Sequence, residues 1–134
     1  MHIRLAVTKD IQFLDQNDPH INRQELLNSI SLNRVYIIEE TDQPIDWLRY
    51  NLFWDSIPFM TMLYFFEEYR GKGYGRKAVD FWEAKMQERK YDRVMTSTVS
   101  MEFAQHFYYK LGYLPVGGFT LTDEPYELLL EKVL

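Results

Sequence analysis

The sequence predicts an α/β fold with a mixed sheet, and three observations carry that prediction. Runs of strand length, rich in β-branched and aromatic residues, recur along the chain, among them Arg34–Glu40, Phe59–Phe66 and Arg93–Val99. Two later stretches, Gly75–Glu88 and Glu102–Leu111, carry apolar residues at helical spacing, with Val79, Trp82 and Met86 on one face of the first. The order is also informative. Strands joined by short turns come early, and strand–helix–strand units come late, where parallel pairing needs a crossover.

Each element has a local signal. His2–Val7 alternates as a first strand, and Lys9–Asp15 and Ile21–Ile30 read as short helices. Asn22 is placed to cap the second of these, with Glu25 three residues on at the capping-box spacing. After Arg34–Glu40, Thr41-Asp42-Gln43-Pro44 is a turn. Ile45–Trp54 and Phe59–Phe66 are strands joined through Asp55-Ser56-Ile57-Pro58, a hairpin connection. Tyr113–Leu121 and Tyr126–Val133 form a final strand pair. Ile45–Trp54 is strongly aromatic. Alternation sets Trp47, Arg49, Asn51 and Phe53 on one face and Leu48, Tyr50, Leu52 and Trp54 on the other. One face is expected in the core; the other, with Arg49 and Asn51, is a candidate acceptor-pocket wall or dimer contact.

No repeat, low-complexity segment or linker divides the chain, and 134 residues are one domain by size, so residues 1–134 read as a single domain. Its 46% hydrophobic and 26% charged residues are those of an ordinary globular protein. The longest apolar run, near Ile57–Phe66, is too short to span a bilayer, and no basic, apolar leader opens the chain. Cysteine is absent, which excludes a disulfide framework and a thiol nucleophile. The expectation is a soluble cytoplasmic protein with no membrane partner. A net charge of −5 argues against nucleic acid as a partner, since that needs a basic face.

Positive charge does gather in one place. Arg70-Gly71-Lys72-Gly73-Tyr74-Gly75 follows an apolar strand and opens the helix that begins Gly75-Arg76-Lys77. First-turn amides have no partner inside a helix, and the dipole makes that end positive. Glycines let an anion approach the backbone, and Arg70, Lys72, Arg76 and Lys77 surround the turn. A phosphate-bearing ligand is expected there. A P-loop would end in Gly-Lys-Ser/Thr, and a dinucleotide fold would set Gly-x-Gly-x-x-Gly early, with an acidic residue about 20 positions on; neither pattern fits. The remaining alternative is a strand–helix turn whose glycines serve geometry only.

Tyr69-Arg70-Gly71-Lys72-Gly73-Tyr74-Gly75 resembles the acyl-coenzyme A signature, Arg/Gln-x-x-Gly-x-Gly/Ala, of the GNAT N-acetyltransferase superfamily. A second block, Ala104-Gln105-His106-Phe107-Tyr108-Tyr109-Lys110-Leu111-Gly112-Tyr113, is similar to that family's Ala-x-x-x-Tyr-x-x-x-Gly-Phe/Tyr segment, in the family's order and spacing. The resemblance covers Thr61 to Gly117. It implies a mixed, mostly antiparallel sheet with a splayed central parallel strand pair, flanked by about four helices. It also implies an acetyl-CoA-dependent N-acetyltransferase in which an acceptor amine attacks the thioester directly.

Residue roles follow by position. The resemblance sets the pyrophosphate of acetyl-CoA on the turn made by Arg70, Gly71, Lys72, Gly73, Tyr74, Gly75 and Arg76. The thioester would lie beside the strand end Phe65 and Phe66, where the Phe65 amide polarises its carbonyl. Tyr108, four residues before Gly112, stands where the family's general acid protonates the departing thiolate; on its helix it falls on the flank of a buried face marked by Ala104, Phe107 and Leu111. Tyr109 points about 100° away and is the weaker candidate. The family often carries Asn three residues before the helix alanine; Met101 stands there, leaving Ser100, Glu102 or the backbone for that contact.

No general base stands out. Asp55, Glu39, Glu40, Glu67 and Glu68 are the acidic candidates, with Glu67 also suited to an ion pair with the basic turn. His2, His20 and His106 read as surface residues, and no histidine–carboxylate spacing predicts a metal. The acceptor is expected to be a small-molecule amine or a peptide amine, and exposed aromatics with the final strand pair allow a homodimer. A non-catalytic acyl-CoA sensor or interaction domain on the same fold is the alternative, and a ligand-free structural domain is a third.

Overall fold

The computed structural model describes residues 1–100 and 104–134. Its strands are β1 (His2–Leu5), β2 (Val35–Glu40), β3 (Gln43–Phe53), β4 (Ile57–Phe65), β5 (Arg93–Val99), β6 (Leu114–Phe119) and β7 (Glu127–Val133). The helices among the described residues are α1 (Ile11–Asn17), α2 (Arg23–Ser31), α3 (Tyr74–Glu88) and α4 (Ala104–Lys110). The strands form one sheet in the order β1-β2-β3-β4-β5-β7-β6. β4 and β5 run parallel, while β1–β2, β2–β3, β5–β7 and β6–β7 are antiparallel. The parallel ladder is short, with Phe59 opposite Met95 and Met60 opposite Thr96, although the two strands have nine and seven residues. This is the mixed, mostly antiparallel sheet with a splayed parallel pair that the sequence predicts.

The chain divides into two compact units, Met1–Asn51 with Met62–Ala78 and Leu52–Thr61 with Val79–Leu134. In the first, Ala6, Leu14, Leu26, Val35, Ile37 and Trp47 form one buried cluster, joined by Phe13, Met62 and Phe66. Ile38, Ile45 and Ala78 form another, joined by Leu63, Phe65, Tyr69 and Tyr74. α2 starts where its cap predicts, the Asn22 side chain accepting the Glu25 amide at 2.9 Å. The second unit buries Val79, Trp82 and Met86 along α3, the face legible from their spacing.

Both hairpin turns fall earlier than the sequence suggests. Thr41 and Asp42 take φ of 50° and 63°, and Trp54 and Asp55 take 53° and 60°, the paired positive angles that match strand twist in two-residue turns. Pro44 and Pro58 are therefore the second residues of β3 and β4. A missing N–H is tolerated near a strand start.

Along β3 burial is not the one-sided pattern that alternation predicts. Residues 45–50 are buried on both faces. Arg49 lines no open acceptor wall: its Nε donates to Asp18 Oδ2 at 2.7 Å, and the same oxygen accepts Trp47 Nε1 at 2.9 Å. A buried guanidinium needs such a partner, and the loop after α1 brings the carboxylate.

Candidate functional site

The segment after β4 lies in the first unit. A single 3₁₀ turn, Glu67–Tyr69, leads to Arg70 at extended angles. Gly71 and Gly73 then take φ of 73° and 79°, angles that side-chain-bearing residues adopt at a cost. A Cβ at either glycine would meet nothing within 4 Å. Conformation rather than crowding demands these glycines, and the space over the turn is open. α3 starts at Tyr74, and the Lys77 amide reaches back to the Gly73 carbonyl at 3.2 Å. Arg70, Lys72, Arg76 and Lys77 are exposed around this helix N-terminus. A helix N-terminus, two glycines at positive φ and four exposed cations together suit phosphate oxygens. The residues fit a phosphate-bearing cofactor.

Several predicted residues contact one another. Arg70 Nε donates to the Phe65 carbonyl at 2.9 Å, and its guanidinium lies 5.6 Å from the centre of the Tyr64 ring. Lys72 Nζ lies 5.8 Å from the Tyr69 ring centre. Tyr74 stacks on Phe65 at 6.1 Å. A hydrogen bond with Glu40 raises the Tyr74 phenol above its ordinary pKa and lowers the Glu40 carboxyl. Phe66 behaves differently. Its half-buried ring packs edge-on against Phe13, Trp47 and Tyr64.

One residue at this strand end escaped sequence reasoning. Asp46, on β3, is fully buried, and its Oδ1 accepts the Tyr64 amide at 3.0 Å. Its Oδ2 is buried with no protein partner among the described residues. Burial pushes the Asp46 carboxyl up to about 9, against the opposing hydrogen bonds of the Trp47 and Tyr64 amides and the charge of Arg70. The signal was there: an aspartate between Ile45 and Trp47 inside an apolar strand. Strand alternation turns the Phe65 amide to the opposite edge of β4 from the Tyr64 amide that Asp46 holds.

Tyr108 belongs to the second unit. It is 8% exposed and sits on the buried side of α4, whereas its neighbour Tyr109 faces solvent. Its ring meets Phe107 edge-on at 5.1 Å and Tyr113 at 5.4 Å. Behind it lies a second cluster that the sequence did not reveal. The Tyr113 hydroxyl donates to Glu83 Oε2 at 2.8 Å, and Lys132 Nζ donates to Glu83 Oε1 at 2.8 Å. Met101 and Glu102 lie outside the described residues; the Ser100 carbonyl accepts Gln105 Nε2 at 2.7 Å.

The acidic candidates have other surroundings. Glu39 pairs with Arg4 at 3.1 Å, Glu40 with the chain N-terminus at 3.5 Å, and Asp55, Glu67 and Glu68 are exposed. His2, His20 and His106 are exposed as well. Among the described residues no helix is long and apolar enough to cross a membrane, and no three metal-ligating side chains converge.

The chain is thus a mixed α/β sheet flanked by helices, with a glycine turn ringed by cations after its fourth strand. The acetyltransferase (GNAT) family model matches residues 6–113, and the chain belongs to that family. No curated protein matches it in sequence. The fold is similar to that of Ard1 from Thermoplasma volcanium, at 13% identity and a TM-score of 0.85, over 99% of this chain and 97% of the other. It is also similar to the ribosomal-protein-alanine N-acetyltransferase from Brucella melitensis, at 18% identity and a TM-score of 0.82 over 100% of both chains. A GNAT family acetyltransferase from Elizabethkingia anophelis with acetyl-CoA bound is similar at 13% identity and a TM-score of 0.73, over 99% of this chain and 97% of the other.

Proposed function

We propose that residues 1–134 act as one cytoplasmic N-acetyltransferase domain that moves the acetyl group of acetyl-CoA to a primary amine. The observation that carries this reading is the open glycine turn at the start of α3, ringed by four cations. It suits the pyrophosphate of the cofactor through the amides of residues 70–76. The Elizabethkingia protein holds acetyl-CoA on the same fold, and the Brucella protein is named for acetylating an alanine of a ribosomal protein, which favours a peptide amine as acceptor.

In this reading the acceptor amine, in its neutral form, attacks the thioester carbonyl. Negative charge develops on the carbonyl oxygen, and the Phe65 amide meets it; a comparable donor is worth about 2.7–4 kcal/mol elsewhere. The carbon–sulfur bond then breaks, the departing thiolate takes the phenolic proton of Tyr108, and the amine gives up its extra proton to solvent. Exposed Leu114, Val116 and Phe119 on the edge strand β6 offer a second copy a place to pair.

Calorimetric titration with acetyl-CoA, and with a pantetheine fragment lacking phosphates, tests the cofactor site. Micromolar binding that disappears with the phosphates is expected, together with release of free coenzyme A when peptide amines are supplied. No binding to folded protein overturns the cofactor site; binding without amine-dependent release makes the chain a sensor.

A further inference from the structure

We propose that Asp46 is a positioning residue for acetyl transfer: with Arg70 it clamps the end of β4 from both edges and so aims the Phe65 amide. The inference rests on the transferase reading above and adds a residue to it.

Three observations converge, all within the first unit. Asp46 Oδ1 accepts the Tyr64 amide at 3.0 Å on one edge of the strand, and Arg70 Nε donates to the Phe65 carbonyl at 2.9 Å. Because N–H and C=O of one strand residue point the same way, the Arg70 bond and the Phe65 amide share the opposite edge. Between these anchors the Tyr64 ring is held by Trp47 at 5.4 Å and by the Arg70 guanidinium at 5.6 Å. The two peptide groups that flank the one bearing the Phe65 amide are thus each held by a side chain.

The register explains how Asp46 comes to be there. β3 carries an extra residue between Pro44 and Asp46, since Glu39 pairs with Pro44 and Ile38 with Asp46. Bulges of this kind re-aim side chains. A buried carboxyl with one unpartnered oxygen also works against stability, because an apolar residue of similar size removes the desolvation cost. Stability is sacrificed in this way at functional sites more than elsewhere. What the carboxyl supplies is a fixed amide plane. Catalysis needs that, since displacement of a reacting group by about 1 Å costs on the order of 10²-fold in rate.

The test compares Asp46→Asn, which keeps an oxygen for the Tyr64 amide, with Asp46→Leu, which does not. Folded variants are assayed for acetyl-CoA affinity, for kcat with a peptide amine, and for the infrared stretch of carbonyl-labelled acetyl-CoA. Asp46→Leu is expected to lower kcat by about 10–10²-fold and to abolish the carbonyl red shift, with acetyl-CoA affinity nearly unchanged. Asp46→Asn is expected to retain both the rate and the shift. A full red shift in Asp46→Leu, or equal losses in both variants, overturns the inference while leaving the transferase reading intact. If Asp46→Leu does not fold, Asp46→Ser, too short to reach the Tyr64 amide, takes its place with the same outcomes. Failure of the wild-type protein to bind acetyl-CoA overturns both readings together.

Discussion

The Tyr113 hydroxyl donates to Glu83 at 2.8 Å, and the same tyrosine lies edge-on to Tyr108 at 5.4 Å. The carboxylate on α3 therefore fixes the ring that packs against the proposed acid. Lys132 completes the group from β7, binding the other Glu83 oxygen and lying 5.8 Å from the Tyr113 ring centre. Burial first, then the charge and hydrogen bond of Glu83, hold the Tyr113 phenol above its ordinary pKa, so it remains a donor.

Removing the carboxylate should cost more than removing the hydroxyl. Tyr113→Phe leaves Glu83 its Lys132 partner, and a loss of about 1–3 kcal/mol is expected. Glu83→Leu strands both a buried hydroxyl and an ammonium, with an expected loss of about 3–5 kcal/mol. Urea unfolding of the two variants decides the order, and equal losses would contradict it.

The Arg49–Asp18 pair gives a second prediction. Asp18 is 3% exposed and takes hydrogen bonds from Arg49, the Trp47 indole and the His20 amide. Arg49→Met leaves that carboxylate buried without its cation, an expected loss of about 3–5 kcal/mol. Asp18→Leu combined with Arg49→Met should recover part of it. A double variant less stable than Arg49→Met would refute the pairing as the source of the loss.

Asp46 makes stability depend on pH. Its folded-state value, about 9, lies above the ordinary 3.8, so the folded chain keeps a proton that the unfolded chain releases. Its stabilising contribution is full below the unfolded value and is lost as pH rises toward the folded one. Between about pH 5 and 8 the slope is about 1.4 kcal/mol per pH unit. Asp46→Asn removes the titration, so its stability relative to wild type should improve by that amount for each unit of rising pH. Parallel curves for the two proteins in denaturant titrations would show that the carboxyl is ionised when folded.

The proposed chemistry separates two sites. Tyr108→Phe should leave acetyl-CoA affinity intact and lower kcat by about 10²–10⁴-fold. Gly73→Asp should abolish binding, because it sets a carboxylate where phosphate belongs and forces a side chain onto a φ of 79°. Unchanged turnover in the first variant, or tight binding in a folded second one, would remove the corresponding role.

Much of the fold was legible because its signals are local. The β5 boundaries, Arg93–Val99, match the sequence reading, as does the buried α3 face of Val79, Trp82 and Met86. Asn22 caps α2 through a bond spanning three residues. Both hairpin turns are legible in place but end earlier than residue type suggests, because Trp54 and Thr41 do not advertise positive φ; the twist of the paired strands imposes it. Helical spacing alone sets Tyr108 on the flank of its helix face, whereas the structure buries it, with Tyr113 packed against its ring.

By itself the sequence determined the succession of strands and helices, the glycine turn with its cations, and the family. Propensity, periodicity and turn chemistry act between near neighbours, and near neighbours are what a sequence displays. Tertiary structure decided which charged groups lie inside and what they hold. Asp46 meets the Tyr64 amide 18 positions away, Arg49 meets Asp18 across 31, and Lys132 meets Glu83 across 49. Those pairings depend on register and packing, which bring distant groups into a low-dielectric interior where each must find its partner.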